Sequence, residues 1–90
     1  MDSSAAESIA LRALTYIASD DKALGGLLAS TGVDQHSLKE AASDPAILVG
    51  VLDFLLQNED RVLAFCEAED MPPQTPGRAW SALTGRDLGG

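Results

Sequence analysis

A single cysteine, Cys66, excludes an intramolecular disulfide and any zinc site built from several thiolates. A single histidine, His36, is a poor start for any other metal site. Aromatics are scarce, with one Trp, one Tyr and two Phe, so a core has to be made of Leu, Ile, Val and Ala. Basic residues are few: Lys and Arg total 6 against 14 Asp and Glu, for a formal net charge of -8. Phosphate contacts need clustered Lys and Arg, which argues against a general nucleic-acid binder. Docking on an anionic membrane is disfavoured for the same reason. The charge favours a basic protein partner, or serves solubility alone. Long apolar runs are missing as well, the longest being about a dozen residues where a membrane span needs about 20. The N-terminal MDSSAAES lacks the positive start of a signal peptide. The expected compartment is the cytoplasm. No spacing matches a calcium loop, and Gly25-Gly26 has neither the preceding strand nor the following Lys-Ser/Thr of a phosphate loop.

What is present is helical pattern. The run Pro45 to Leu56, PAILVGVLDFLL, is apolar except at Asp53, and a helix apolar on all sides is normally buried by other helices. Ninety residues make one domain. The expectation is an all-α fold over residues 1–90, a compact bundle of five or six short helices around a buried central helix at about 45–57. Residues 1–3 and 86–90 are expected as frayed tails. Short loops suggest that consecutive helices are neighbours.

Local signals place the elements. Ser4 with Glu7 three residues on fits a capping box, followed by Ala6, Ile9, Ala10, Ala13, Leu14 and Ile17 at helical spacing. Ser8, Arg12, Thr15 and Ser19 form the opposite polar stripe, with Tyr16 at the edge. Ser19-Asp20-Asp21 marks a break before a second helix, Asp21 to Thr31, carrying Leu24, Leu27 and Leu28. Gly25 and Gly26 within it suggest close helix approach or a kink. Gly32 ends it, and Asp34 caps a short helix from Gln35 to Ala42 that buries Leu38, Ala41 and Ala42. Asp44-Pro45 is the clearest start signal in the chain, and Gly50 suggests a closely packed neighbour. Asn58 caps a fifth helix with Val62, Leu63, Phe65 and Cys66 on its buried side. After MPPQTP, Thr75-Pro76 opens a sixth helix through Thr84, anchored by Trp80 and Leu83 and stopped by Gly85.

Four candidate sites follow from chemistry. Asp53 among apolar residues is either a buried acid or base, or lies on a thin exposed stripe, or pairs with Arg61 or another cation. Cys66 shares a helix face with Val62 and Leu63, which favours a packed thiol over a nucleophile. Glu59, Asp60, Glu67, Glu69 and Asp70 crowd one helix, and its C-terminal turn disfavours acids, so that end should fray unless a cation or partner compensates. Trp80 beside Pro72, Pro73 and Pro76 either packs or anchors an interface. Glu67, Glu69, Asp70 and Trp80 form the expected partner surface.

The run Asp44-Pro45, Val51-Leu52-Asp53-Phe54-Leu55, Glu59, then Ala64-Phe65-Cys66 resembles a family of short bacterial proteins, the domain-of-unknown-function family thirty-five seventy-two. The likeness covers most of the chain, including the Leu-Leu-Ala-Ser-Thr-Gly segment and the Pro-containing loop before the last helix. It implies a small cytoplasmic helical protein and brings no activity, cofactor or catalytic residue. The family pattern includes Asp53 and Cys66 and assigns a role to neither. The expected function is a small acidic interaction or regulatory module without catalysis or cofactor, contacting a basic protein. The alternative is a small enzyme or ligand carrier using Asp53 or Cys66 in an apolar pocket. Monomer and homodimer both stay open.

Overall fold

A computed structural model describes residues 1–34 and 36–86. The expected helix start at Gln35, the burial of Ala41 and the tail residues 87–90 lie outside what it describes. The described residues form helices and no strand: α1 Ser3–Ala18, α2 Asp21–Thr31, α3 Leu38–Ala41, α4 Pro45–Leu56, α5 Glu59–Ala68 and α6 Thr75–Thr84. None is long and apolar enough to cross a membrane.

The central helix begins where the dipeptide Asp44-Pro45 requires. Pro45 occupies the first turn, and the Ala46 amide donates to Asp44 Oδ1 at 3.0 Å. Helix α4 buries Leu48, Val51, Leu52, Phe54 and Leu55, at roughly 1.5–3 kcal/mol of transfer free energy each. It packs against α1, α2, α5 and α6, more partners than any other helix. Four neighbours still leave part of the helix open, with Ala46 and Asp53 exposed and Val49 half-buried. The helix is central without being enclosed.

Close approach explains two glycines. A Cβ at Gly26 would lie 3.1 Å from Phe54 Cζ, and one at Gly50 3.2 Å from Thr31 Cγ2, so α2 and α4 meet where each lacks a side chain. Helices α1 and α6 use small residues in the same way. Ala6, Ala10, Ala13 and Ala79 are fully buried, and two alanine faces let helix axes come close.

Several expectations need correction. Helix α1 starts two residues earlier than a Ser4 cap implies, at Ser3, because Asp2 competes with Ser4 for the cap and wins: its Oδ1 accepts from the Ala5 amide at 2.8 Å. A carboxylate at the positive end of a helix also gains from the macrodipole, which a hydroxyl does not. Asp34 accepts from the Ser37 amide at 2.8 Å, which closes a turn and delays the third helix to the single turn Leu38–Ala41. Ser37 precedes that turn without a side-chain cap bond. Leu38 and Ala42 are half-buried. Gln74, with no side-chain cap bond, precedes α6, so Thr75 lies inside the helix. The buried residues of α6 are Pro76 and Ala79, while Trp80 and Leu83 pack at the core's edge. Leu63 is 46% exposed: the buried stripe of α5 is Val62, Phe65 and Cys66, and one helix resting mainly on α4 covers too narrow an arc to include it.

Consecutive helices are not always neighbours either. Helix α6 packs on α1 and α4 and barely meets α5. The proline-containing loop between α5 and α6 cannot continue a helix, and it carries the chain across the bundle to the alanine face of α1.

Candidate functional site

The two candidate catalytic groups, Asp53 and Cys66, lie in different surroundings. Asp53 is exposed. Arg61, one of the cations considered for it, lies over the Phe54 ring with its guanidinium carbon 4.5 Å from the centroid, a cation–π contact. Cys66 is 2% exposed, and burial pushes its thiol pKa up. Desolvation disfavours the thiolate, which is the nucleophilic form. His36 is exposed, so thiol and imidazole occupy different surroundings. Tyr16 is half-buried, with its ring edge-on to Phe65 at 5.5 Å between centroids. Among the described residues no three or more His, Cys, Asp or Glu are grouped to hold a metal ion.

The expected partner surface divides into two. Glu67 and Asp70 are exposed and Glu69 half-buried at the end of α5. That end is closed by backbone bonds: the Met71 amide reaches back to the Cys66 carbonyl at 2.9 Å, and Asp70 takes a left-handed φ of 53°. This is the six-to-one bond of a Schellman turn, with Asp in the place usually held by Gly. Aspartate tolerates that conformation better than most residues, so Asp70 has a local backbone reason to be there. Trp80 faces elsewhere. It lines a groove of about 470 Å³ with Val49, Asp53, Thr84 and Arg86, and none of the three acids takes part.

An apolar concavity among the described residues lies away from both. A groove of about 500 Å³ runs beside α1, lined by Leu11, Leu14, Thr15 and Ala18, with Leu24 of α2, Leu38 of α3 and Ala42. A second depression of about 410 Å³ shares Leu11 and Ala42 with it and adds Glu7, Ser43 and Leu48. Glu7, Leu11, Leu14, Thr15 and Ala18 recur at helical spacing, so the two depressions follow one stripe of α1. Leu11 stands in the middle of that stripe and is 42% exposed.

This stripe was missed in the sequence. Its signal is that Leu11 lies three residues from Ser8 and four from Thr15, an apolar residue inside the polar arc of an amphipathic helix.

Comparison with known proteins places the chain. The model of the family "Protein of unknown function (DUF3572)" matches residues 3–86. The chain belongs to this family. The match runs from the first turn of α1 to the residue after Gly85, so the whole bundle, including both ends of the α1 stripe, is DUF3572 structure. No curated protein and no solved structure matches the chain.

Proposed function

We propose that this DUF3572 protein is a small acidic interaction module without catalytic activity, working in the cytoplasm against a basic protein partner. The observation that carries the reading is the open apolar stripe of α1. An apolar concavity at a protein surface is a shape that a partner's apolar side chains fill. The net charge of -8 sets the sign of the partner, because complementary charge speeds encounter and suppresses wrong partners. Glu67, Glu69 and Asp70 belong to this reading as steering charges, whose effect fades with salt.

The test is affinity capture by the folded protein from extract of its own cells, at low and raised salt. Three baits run in parallel: parent, Leu11→Asp, and a triple variant with Glu67→Gln, Glu69→Gln and Asp70→Asn. A basic protein retained by the parent and lost by Leu11→Asp supports the reading. A parent that retains nothing beyond what its heat-unfolded form retains refutes it.

A second reading, a ligand carrier, rests on the groove that brings Asp53, Trp80 and Arg86 together. A carboxylate, an indole and a guanidinium around one cleft suit a small zwitterion. A substitution of Asp53 that abolishes capture of a small molecule, with the stripe intact, would favour it.

A further inference from the structure

The open stripe of α1 has a length, a chemistry and a charged end, and together they select an occupant. From Glu7 to Ala18 it runs about 16 Å at the standard helical rise. That is three turns of a second helix. From Leu11 to Ala18 the walls are mostly apolar, with Leu11 and Leu14 on α1 and Leu24, Leu38 and Ala42 beside them, while Ser43 joins Glu7 at the other end. Thr15 is the main polar interruption, and its hydroxyl already donates to the Leu11 carbonyl at 3.0 Å. Such a trough offers a compact polar ligand nothing to orient on, while a helix with apolar residues at i, i+3, i+4 and i+7 fits it. At one end stands Glu7, a half-buried carboxylate, and among the described residues neither depression is lined by Lys or Arg.

We propose that the α1 groove seats a basic amphipathic helix of about three turns from a partner protein. Its apolar face lies on Leu11, Leu14, Leu24 and Leu38, and a lysine or arginine reaches Glu7. The proposal rests on the interaction-module reading and names the contact. A second copy of this chain is the poorer occupant. Its other large exposed apolar residue within a helix, Leu63, is flanked at helical spacing by Glu59, Asp60 and Glu67, which would bring carboxylates towards Glu7.

The test uses the full chain, labelled with ¹⁵N, and two synthetic peptides of identical Lys/Leu composition. One places its leucines on a single helical face; the other scatters them. At low salt the amphipathic peptide should move the amides of Leu11, Thr15, Leu24 and Leu38, and bind about tenfold or more tighter than the scattered one. Leu11→Asp should lose about tenfold or more, the fold-change one buried leucine is worth, and keep the parent's far-ultraviolet circular dichroism. Glu7→Gln should lose a few-fold and flatten the salt dependence. Equal binding of the two peptides would show mere charge attraction and overturn the proposal. So would shifts centred on Glu59 and Glu67 or on Trp80, although the interaction reading would survive that result. Groove shifts that grow with protein concentration before any peptide is added would assign the groove to a second copy. Shifts equally large from a neutral alkyl glucoside below its micelle concentration would assign it to a small apolar ligand. Either outcome overturns the proposal.

Discussion

Gly25 and Gly26 sit side by side inside α2, and alanine at the two positions should act differently. In a helix interior, Gly to Ala is worth about 1 kcal/mol from backbone entropy and solvation. At Gly25 nothing lies within 4 Å of an added Cβ, so the full gain is available. A Cβ at Gly26 meets Phe54 Cζ at 3.1 Å and Cε1 at 3.2 Å. That ring is buried, and the Arg61 guanidinium lies across it. It has to shift by a few tenths of an ångström against its packing, and overpacking of this kind costs about 1–3 kcal/mol. Gly26→Ala should therefore be neutral to destabilising by about 2 kcal/mol, the overpacking term less the helix gain. In a domain this small, 1 kcal/mol moves Tm by roughly 4–8 °C. Thermal and urea melts of the two variants should thus separate clearly, with Gly25→Ala above the parent and Gly26→Ala at or below it. Phe54→Leu removes the obstructing ring atoms, so in that background Gly26→Ala should recover its gain. If Gly26→Ala stabilises the parent as much as Gly25→Ala does, the close packing of α2 on α4 is refuted.

Other perturbations test the remaining frame. Asp44→Ala should lower stability by about 1 kcal/mol, read from urea midpoints, through loss of the Ala46 cap bond. Leu52→Ala with Leu55→Ala removes two fully buried leucines at about 2–5 kcal/mol each and should unfold the domain; a cooperative native-like melt of the double variant would show that α4 is not its centre. Asp70→Gly should raise Tm by relieving the left-handed φ and removing an acid from a helix C-terminus, while Asp70→Asn, which relieves only the charge, should gain less. Native Cys66 should resist thiol reagents until the protein unfolds. Its folded pKa lies above the unfolded value, so the unfolded thiol ionises first as pH rises. Stability should be level below the ordinary thiol value of 9.0 and fall as pH climbs through it, by more in the parent than in Cys66→Ala.

The parts of the fold that could be read in advance are those decided within a few residues. Asp44-Pro45, Asn58 and Gly85 each act on the turn beside them, and the structure uses all three as expected. The bounds of α2 follow from Asp20-Asp21 and Gly32 in the same way. Where two local signals compete, order alone does not decide, and Asp2 displaced Ser4. Pairing of faces is less visible still. The alanines of α1 announce a close neighbour without naming it, and that neighbour is the last helix, reached over a proline loop. For Asp53 the residues left an exposed stripe, an ion pair and a buried acid all open, and its exposure selects the first. The separation of Trp80 from Glu67, Glu69 and Asp70 was not legible, since it depends on where α6 lands.

Leu11 and Leu63 break their helical patterns alike, and their exposures, 42% and 46%, are nearly equal. Exposure therefore does not rank them; surroundings do. Leu63 stands among Glu59, Asp60 and Glu67 on its helix, and a scattered surface leucine is ordinary in a soluble protein. Leu11 faces Leu14, Leu24, Leu38 and Ala42 across one concavity. Little of the chain around α3 stands over this concavity: Leu38 and Ala42 reach it among the described residues. Asp34 spends its side chain on the turn at Ser37, Ser37 makes no cap bond, and a single uncapped turn, Leu38–Ala41, is all the helix that forms. One turn rises about 6 Å, whereas the stripe from Glu7 to Ala18 needs about 16 Å of cover. The chain's own helix is thus too short by two turns for the apolar surface that α1 presents. The length left open is what an incoming helix would have to supply.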